Sequence, residues 1–122
     1  MQRKEEKKSV IEFCPIRNVV SRFGNKWALL VILILDENKA IRFGQIGKQI
    51  PDISPKVLSD TLRTLEADGL VNRTVYPEVP IRVEYELTEI GRSLVPIIQT
   101  LTEWALKNMK QIVEHRAAYD DA

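Results

Sequence analysis

Apolar side chains recur at helical spacing along most of the chain, and they alternate with polar ones near residues 70–87. The first helical period begins after Pro15, which suits the first position of a helix because its missing N–H is not needed there. This period ends at Gly24. A second period begins with Asn25 as N-cap and contains the nine-residue apolar run from Trp27 to Leu35. The pattern predicts a short first helix and a second helix central to the core.

The next two apolar periods predict two helices joined by a tight turn. Residues 40–43 are predicted to form a very short strand, and the helix of about two turns that follows is ended by Pro51. The fourth helix carries the clearest local signals, with Ser54 as N-cap, Pro55 at the first position and Gly69 as the left-handed terminating residue. Two helices joined by a tight turn, as predicted here for the third and fourth helices, are typical of a helix-turn-helix.

The period of the fourth helix assigns its residues to two faces. The residues predicted to point into the core are Val57, Leu58, Thr61, Leu62 and Leu65. Those left on the outward face are Lys56, Ser59, Asp60, Arg63 and Ala67. The outward face is therefore short, polar and free to meet a partner.

Residues 70–76 and 82–87 alternate and are rich in β-branched and aromatic side chains, which predicts a β-hairpin. Pro77 and Pro80 lie in the loop between the two predicted strands. Prolines deny backbone donors to a further strand and stiffen the loop, which favours a projecting wing over the centre of a sheet. Thr88 is then predicted to cap the last helical region.

This last helical region is apolar over too wide an arc for a peripheral helix of a small monomer. Pro96 within it is expected to kink or divide it. Burial of the excess apolar surface between two copies of the chain is therefore predicted. The candidate dimer-interface residues are Ile16, Ile97, Leu101, Trp104 and Met109.

Composition narrows the class of protein. A chain of 122 residues that is 44% hydrophobic and 29% charged is expected to form a single soluble domain in the cytoplasm, with no membrane association and no secretory signal. The single cysteine, Cys14, excludes an internal disulfide, and together with the single histidine, His115, it cannot supply an ordinary zinc site. The sequence therefore predicts no cofactor and no metal.

Charge is distributed unevenly along the chain. Residues 15–82 carry ten basic and seven acidic side chains, whereas residues 83–122 carry four and seven. This division would suit a body that faces DNA and a distal acidic helix, although the net charge of +1 does not by itself indicate a nucleic-acid-binding protein.

The order of the predicted elements is that of a winged helix, mainly α with a small β-hairpin. Four segments of the sequence also resemble the HxlR-type transcriptional regulators of bacteria and archaea, which are relatives of the MarR group. These segments are CPIRNVVSRFGNKWALLVILIL, RFGQI, ISPKVLSDTLRTLEADGLVNRTVYPEVPIRVEYELTEIGRSLVPII and LTEW. Ile81 is a small departure, because that wing position is more often proline in the family.

The resemblance implies a homodimeric DNA-binding regulator of neighbouring genes, dimerised through its terminal helices and acting on a pseudo-palindromic operator at the nucleoid. It also implies a division of the chain. A charged extension of residues 1–13 precedes one domain of residues 14–122, which contains the helix-turn-helix at 43–69, the wing at 70–88 and the dimerisation helix at 89–118.

A winged helix predicts which residues would meet DNA. The candidates facing the major groove are Ser54, Lys56, Ser59, Asp60 and Arg63. Arg63 could bind guanine bidentately, and Asp60 could accept from cytosine or instead hold a neighbouring cation. The phosphate candidates are Lys26, Arg42, Arg73 and Arg82, and Arg82 is the best placed for the minor groove. Each of the two wing arginines could alternatively pair across the hairpin with Glu84 or Glu86.

Cys14 precedes a predicted helix start, where the helix dipole favours a thiolate. The resemblance implies a redox or electrophile sensor at this position, since some HxlR-type proteins use a cysteine there. The alternative is a small buried hydrophobic residue. A lone sensing cysteine permits only a mixed disulfide with a small thiol, an adduct or a link between two subunits.

Other functions remain open at this point. A winged-helix module that binds protein instead of DNA is the main alternative. An enzyme is poorly supported, because the sequence offers no Gly-rich phosphate loop and no nucleophile with an evident base. A small-molecule or oxidant effector is conceivable, including one held between subunits, but no residue pattern names a ligand.

Overall fold

The computed structural model describes residues 15–121. Over these residues the chain forms five helices and one β-hairpin. The first helix, α1, is a π-helical segment, Ile16–Val20, continued by an α-helical turn, Ser21–Phe23. The remaining elements, in chain order, are α2 (Lys26–Glu37), α3 (Phe43–Gln49), α4 (Pro55–Ala67), β1 (Val71–Tyr76), β2 (Arg82–Leu87) and α5 (Glu89–Asp120).

The hydrophobic core is built around α2, as its sequence predicts. Val31, Ile32 and Leu35 of this helix are buried, and α2 contacts α3, α4, α5 and β2. The third and fourth helices add Ile46, Leu58, Leu62 and Leu65 to the same core. The inward face of α4 is thereby fixed, which presents its opposite face to solvent.

Local capping signals in the sequence produce the expected helix starts. The side chain of Asn25 accepts a hydrogen bond from the Ala28 N–H, and Ser54 Oγ accepts one from the Val57 N–H at 3.1 Å. Thr88 Oγ1 accepts from the Gly91 N–H at 3.1 Å. These bonds satisfy donors that would otherwise lack an intrahelical partner, so the three predicted caps are confirmed.

The end of α4 leads directly into the hairpin. Gly69 has a φ of 78°, in the left-handed region that glycine adopts without strain. Leu70, which the alternation includes in the first strand, instead donates its N–H to the Leu65 carbonyl at 2.9 Å and belongs to the helix cap. The strand therefore begins one residue later, at Val71.

The wing is an antiparallel pair in which Val71 faces Leu87 and Tyr76 faces Arg82. The short strand predicted at residues 40–43 is reduced to Ile41, which exchanges two backbone hydrogen bonds with Tyr85 of β2, at 2.8 and 3.0 Å. This bridge attaches the wing to the segment just before α3. The predicted winged-helix architecture, mainly α with one small hairpin, is confirmed.

The last helix corrects one expectation. Pro96 does not divide the region, because α5 is a single helix of 32 residues that includes it. Val95 and Ile98, on either side of the proline, are buried in the core, and we attribute the continuity of the helix to this packing.

Beyond Ile98, most side chains of α5 are exposed.

Within residues 15–121, no single helix is both long and apolar enough to cross a bilayer. Only α1 and α2 taken together reach that length and apolarity, across a bend of 64°.

Candidate nucleic-acid interface

The outward face of α4 brings together three charged residues on successive turns. The side chains of Lys56, Asp60 and Arg63 are 85%, 53% and 76% exposed. Ser59, also predicted on this face, is half-buried. The face is held in place because the opposite side of the helix is packed into the core, so these residues form one preformed polar surface.

Asp60 lies between the two cations of this surface. Its carboxylate is 3.2 Å from Lys56 Nζ through Oδ2 and 3.8 Å from Arg63 Nη1 through Oδ1. Exposed ion pairs of this kind contribute about 0–1 kcal/mol to stability. Their consequence here is orientation, since one carboxylate restrains both cations and leaves the trio with one net positive charge.

Ser54 stands at the start of α4 and Arg42 at the start of α3. Ser54 is exposed, and its hydroxyl serves as the N-cap of α4. Arg42 is the exposed N-cap residue of α3, and its backbone N–H donates to the side-chain carbonyl of Gln45 at 3.2 Å. The charge of Arg42 also helps to lower the pKa of Glu78, so this arginine lies close to the wing loop.

Lys26 is placed elsewhere by the structure. Its ammonium lies 4.4 Å from the centroid of the Trp27 ring, and its side chain lines a groove between α2 and α5 together with Leu30 and Met109. The structure therefore groups this lysine with the last helix and not with the charged face of α4.

The predicted wing contact, Arg82, is engaged in the hairpin itself. Its Nε and Nη2 donate to the two carboxylate oxygens of Glu78 at 3.2 and 3.0 Å, and its Nη1 donates to Glu84 at 2.6 Å. The guanidinium carbon lies 3.7 Å from the centroid of the Tyr76 ring. Hydrogen bonding to Arg82 lowers the pKa of Glu78, and the two carboxylates raise the pKa of Arg82.

Arg82 does pair with Glu84, one of the two partners given by the sequence, but along β2 and not across the hairpin as predicted; Glu78 was not anticipated. Residues 82 and 84 lie on the same face of β2 because strand side chains alternate. Glu78 lies in the loop, where no periodicity fixes its position. A contact between Arg82 and DNA would require these bonds to be exchanged, and that contact remains a prediction.

Arg73, by contrast, extends from β1 into solvent. It faces Tyr85 across the hairpin, and within residues 15–121 it forms no ion pair. Of the two wing arginines, Arg73 is therefore the one whose charge is not engaged by a carboxylate of the described chain.

A long-range ion pair joins the first helix to the end of α4. Arg22 Nε lies 2.6 Å from Asp68 Oδ2, and this hydrogen bond raises the pKa of Arg22. Asp68 is the C-cap residue of α4. No local sequence signal connects positions 46 residues apart, so sequence reasoning missed this contact. Cys14, the candidate sensor, lies outside the described residues.

The residues predicted to form a dimer interface are all exposed in the single chain. Trp104 is 57% exposed, and Ile97 is 65% exposed. Ile16, Leu101 and Met109 are also more than half exposed. Large apolar side chains in this number form a surface that a folded monomer rarely leaves in water.

Comparison with known proteins assigns the family. The sequence model of the HxlR-like helix-turn-helix family matches residues 22–113. The chain belongs to this family. The resemblance seen in the sequence is thus confirmed, and the HxlR-like family is one of transcriptional regulators.

Two kinds of relative illustrate the match. An HTH-type transcriptional regulator of Methanothermobacter thermautotrophicus is 50% identical over 91 residues, which are 75% of this chain and 69% of the relative. Among solved structures, the oxidised form of the redox regulator HypR matches with a TM-score of 0.71 at 39% identity. The match covers 78% of this HxlR-like chain and 97% of the HypR chain.

The structure of diamide-treated YodB from Bacillus subtilis has a TM-score of 0.63 at 39% identity, with 71% of this chain and 85% of that chain covered. HypR is thus a redox regulator, and YodB is a transcriptional regulator whose structure is also known in a reduced form. The solved structures similar to this chain therefore include regulators studied in two redox states.

Proposed function

We propose that this HxlR-like protein is a transcriptional regulator that binds specific sequences of double-stranded DNA as a homodimer. The observation that carries the proposal is the outward face of α4, where Lys56, Asp60 and Arg63 are exposed together on a helix anchored in the core. The second helix of a helix-turn-helix lies in the major groove, and α4 occupies that place in the fold.

In this mechanism α4 reads the bases. Arg63 donates two hydrogen bonds to O6 and N7 of guanine. A long planar guanidinium on α4 can reach these atoms at the floor of the major groove. Ser59 donates to a base or a phosphate. Asp60 accepts from cytosine N4 or holds the two cations in place. The proposed groove residues are Ser54, Lys56, Ser59, Asp60 and Arg63.

Phosphate contacts set the register of the protein on the duplex without reading sequence. Arg42 and Arg73 are the best supported phosphate contacts, because both are exposed, Arg73 on the wing itself and Arg42 close to the wing loop. Lys26 is a third candidate for a phosphate contact, at a site further from α4 because it lies beside the groove between α2 and α5. The wing meets the flank of the site, on the minor-groove side of the half-site.

The proposed homodimer is supported by the exposed apolar side chains of α1 and α5. Ile16, Ile97, Leu101, Trp104 and Met109 are the proposed interface residues. A two-fold dimer places its two recognition helices in successive major grooves, so the operator is an inverted repeat with half-sites one helical turn, or a small multiple of a turn, apart. Such a protein acts on the nucleoid, in the cytoplasm.

The proposed signal is oxidation or electrophilic modification of Cys14. Support comes from HypR, a redox regulator, and from the position of Cys14 directly before Pro15 at the start of α1. In one route, the Cys14 thiolate attacks an oxidised small thiol, forms a mixed disulfide and releases one reduced thiol. In another, two Cys14 thiols of a dimer form a disulfide and pass two electrons and two protons to an oxidant.

The test is selection of bound sequences from random duplex DNA at a stated salt concentration, with reduced protein and again after mild oxidation. Enrichment of an inverted repeat supports a two-fold dimeric reader, and its loss on oxidation supports Cys14 as sensor. The Cys14→Ser variant is the matched control and should keep its binding after oxidation.

Failure to enrich any sequence in either state would contradict the proposal. Weight would then move to a winged helix whose α4 face binds another protein, or to a regulator that needs a small-molecule effector. The dependence of binding on salt separates DNA contact from protein contact, because phosphate contacts release counterions.

A further inference from the structure

The loop of the wing is closed by one arginine. Arg82 starts β2, Tyr76 ends β1, and Glu78 lies in the loop between them. The guanidinium of Arg82 makes three hydrogen bonds to Glu78 and Glu84, and it stacks on the Tyr76 ring at 3.7 Å. The four side chains, called here the wing clamp, therefore join both strands and the loop.

We propose that Arg82 is a positioning residue, which holds the wing loop in the shape that meets the flank of the DNA site and does not itself contact phosphate or base. This proposal rests on the proposed function, since it assigns a role within DNA binding. It revises the prediction from sequence, which gave Arg82 a direct contact in the minor groove.

Bond geometry supports a holding role. Two parallel hydrogen bonds to one carboxylate and a third to another fix the plane of a guanidinium, which a single ion pair does not. The side chain of Arg82 is only 25% exposed, compared with 76% for Arg63 on the reading face of α4. An arginine that reaches for DNA needs the freedom that Arg63 has and Arg82 lacks.

Charge supports the same role. Arg82 together with Glu78 and Glu84 carries one net negative charge, and the nearby Arg42 brings the group to neutrality. If Arg82 left the clamp for a phosphate, two carboxylates would lose their partner close to a polyanion. Such an exchange is costly, and the wing loop as built offers no excess positive charge to DNA.

The outermost side chains of the loop are apolar. Val79 is fully exposed and Ile81 is 69% exposed, with a proline between them. Apolar residues of DNA-binding proteins contact sugars and base edges in the minor groove, where fit depends on shape. A loop of this kind depends on being held in one conformation, and the clamp supplies that restraint.

The experiment compares the wild type with Arg82→Gln and Arg82→Lys on a selected operator duplex. Binding is measured over a range of salt concentrations, and hydroxyl-radical footprints are recorded. Removal of a phosphate contact lowers the slope of log K against log salt by about 0.9. Arg82→Gln lowers the slope in either case, because it also leaves two carboxylates without a cation near the DNA. Arg82→Lys keeps the charge and separates the two roles: a phosphate contact would keep affinity near that of the wild type, whereas loss of a positioning residue should lower affinity by about tenfold because the flank contacts are lost.

Lysine keeps the charge but cannot make the two parallel bonds, so Arg82→Lys should lose affinity as well as Arg82→Gln. Protection at the outer flanks should weaken, whereas the base preference beneath α4 should remain as in the wild type. A general folding defect would instead weaken both the flank protection and the base preference beneath α4. In the DNA-free protein, amide hydrogen exchange at residues 76–82 should be faster in both variants than in the wild type.

Affinity of wild-type strength in Arg82→Lys would overturn the clamp proposal and restore a direct contact. Unchanged exchange rates in the loop would also overturn it. If the wild type itself shows no salt-dependent binding to duplex DNA, the proposed function fails first and the role of Arg82 fails with it, so the two failures are distinguishable.

Discussion

At the scale of single residues, one carboxylate of α4 restrains two cations on the proposed DNA-binding face. Lys56 and Arg63 would be two independent flexible cations without Asp60, which lies within 3.2 and 3.8 Å of them. The sequence predicts that these residues share a face, because their spacing follows the helical period. It left two roles open for the carboxylate, and its position between the cations favours the holding role.

The first prediction concerns Arg63. Replacement by alanine should remove the discrimination at one base pair of each half-site, at a cost of about 1–3 kcal/mol for that contact, while binding to random DNA falls much less. Competition assays with single-base operator variants measure this. Arg63→Lys keeps the charge and can still donate to guanine, so it should lose less of the discrimination than Arg63→Ala. An unchanged base preference in Arg63→Ala would remove Arg63 from the residues proposed to read bases.

The second prediction concerns Asp60. Asp60→Asn should increase affinity for random-sequence duplex and steepen its salt dependence by up to about 0.9, because the face gains one net positive charge and both cations are released. Glu66→Gln is the matched control, since Glu66 is exposed on the same helix and, within residues 15–121, forms no ion pair with Lys56 or Arg63. If Asp60→Asn changes the preferred base but not the affinity for random-sequence duplex, Asp60 contacts a base and does not act by holding the cations.

At the scale of elements, what the sequence predicts depends on how local the signal is. The starts of α2, α4 and α5 follow from single residues that cap their own helix, and all three were predictable. The ion pair of Arg22 with Asp68 joins distant segments, and no periodicity indicates it. The continuity of α5 through Pro96 depends on packing, which a local rule about proline does not include.

Site residues follow the same division. The face of α4 was predictable because helical spacing decides which side chains lie together. The wing clamp was predictable only in part: strand alternation brings Arg82 and Glu84 to one face, whereas the position of Glu78 depends on the path of the loop. Cys14 and its surroundings lie outside the described residues, so its role stays a prediction.

The third prediction concerns the contact between α5 and the start of the wing, where Gly91 lies. Gly44 of α3 serves as the comparison. A Cβ at Gly91 would lie 2.1 Å from the Leu70 carbonyl oxygen, so Gly91→Ala must displace backbone and should lower the free energy of unfolding by about 3 kcal/mol. A Cβ at Gly44 of α3 would meet nothing within 4 Å, so Gly44→Ala should raise it by about 0.5 kcal/mol.

Urea denaturation at equal protein concentration checks both changes. The comparison is informative because each variant adds the same methyl group to a helix, and only the space around it differs. Equal effects of the two substitutions would contradict the close packing of α5 on Leu70.

At the scale of the whole molecule, the chain divides into a packed winged helix and a long helix that extends beyond it. The core residues end at Ile98 on α5, and α5 continues to Asp120 with apolar side chains still exposed. A winged helix of this size needs no such extension for its own core. The second half of α5 is therefore available to hold two copies together at the distance that an inverted repeat requires.

The fourth prediction tests this role through Trp104. Because this indole is 57% exposed and outside the core, Trp104→Ala should leave the fold intact but weaken the proposed dimer. Aromatic residues at interface centres commonly contribute about 2 kcal/mol or more, which corresponds to at least about a 30-fold rise in the dimer Kd. Sedimentation equilibrium measures that constant, and circular dichroism checks that the helices are retained.

Lys110→Ala is the matched control for Trp104→Ala, because Lys110 is an exposed polar position of the same helix and its loss should leave the dimer Kd unchanged. The Trp104→Ala variant should also lose affinity for an inverted repeat more than for a single half-site, since only the paired site depends on the second subunit. A dimer of wild-type strength in Trp104→Ala would remove Trp104 from the proposed interface.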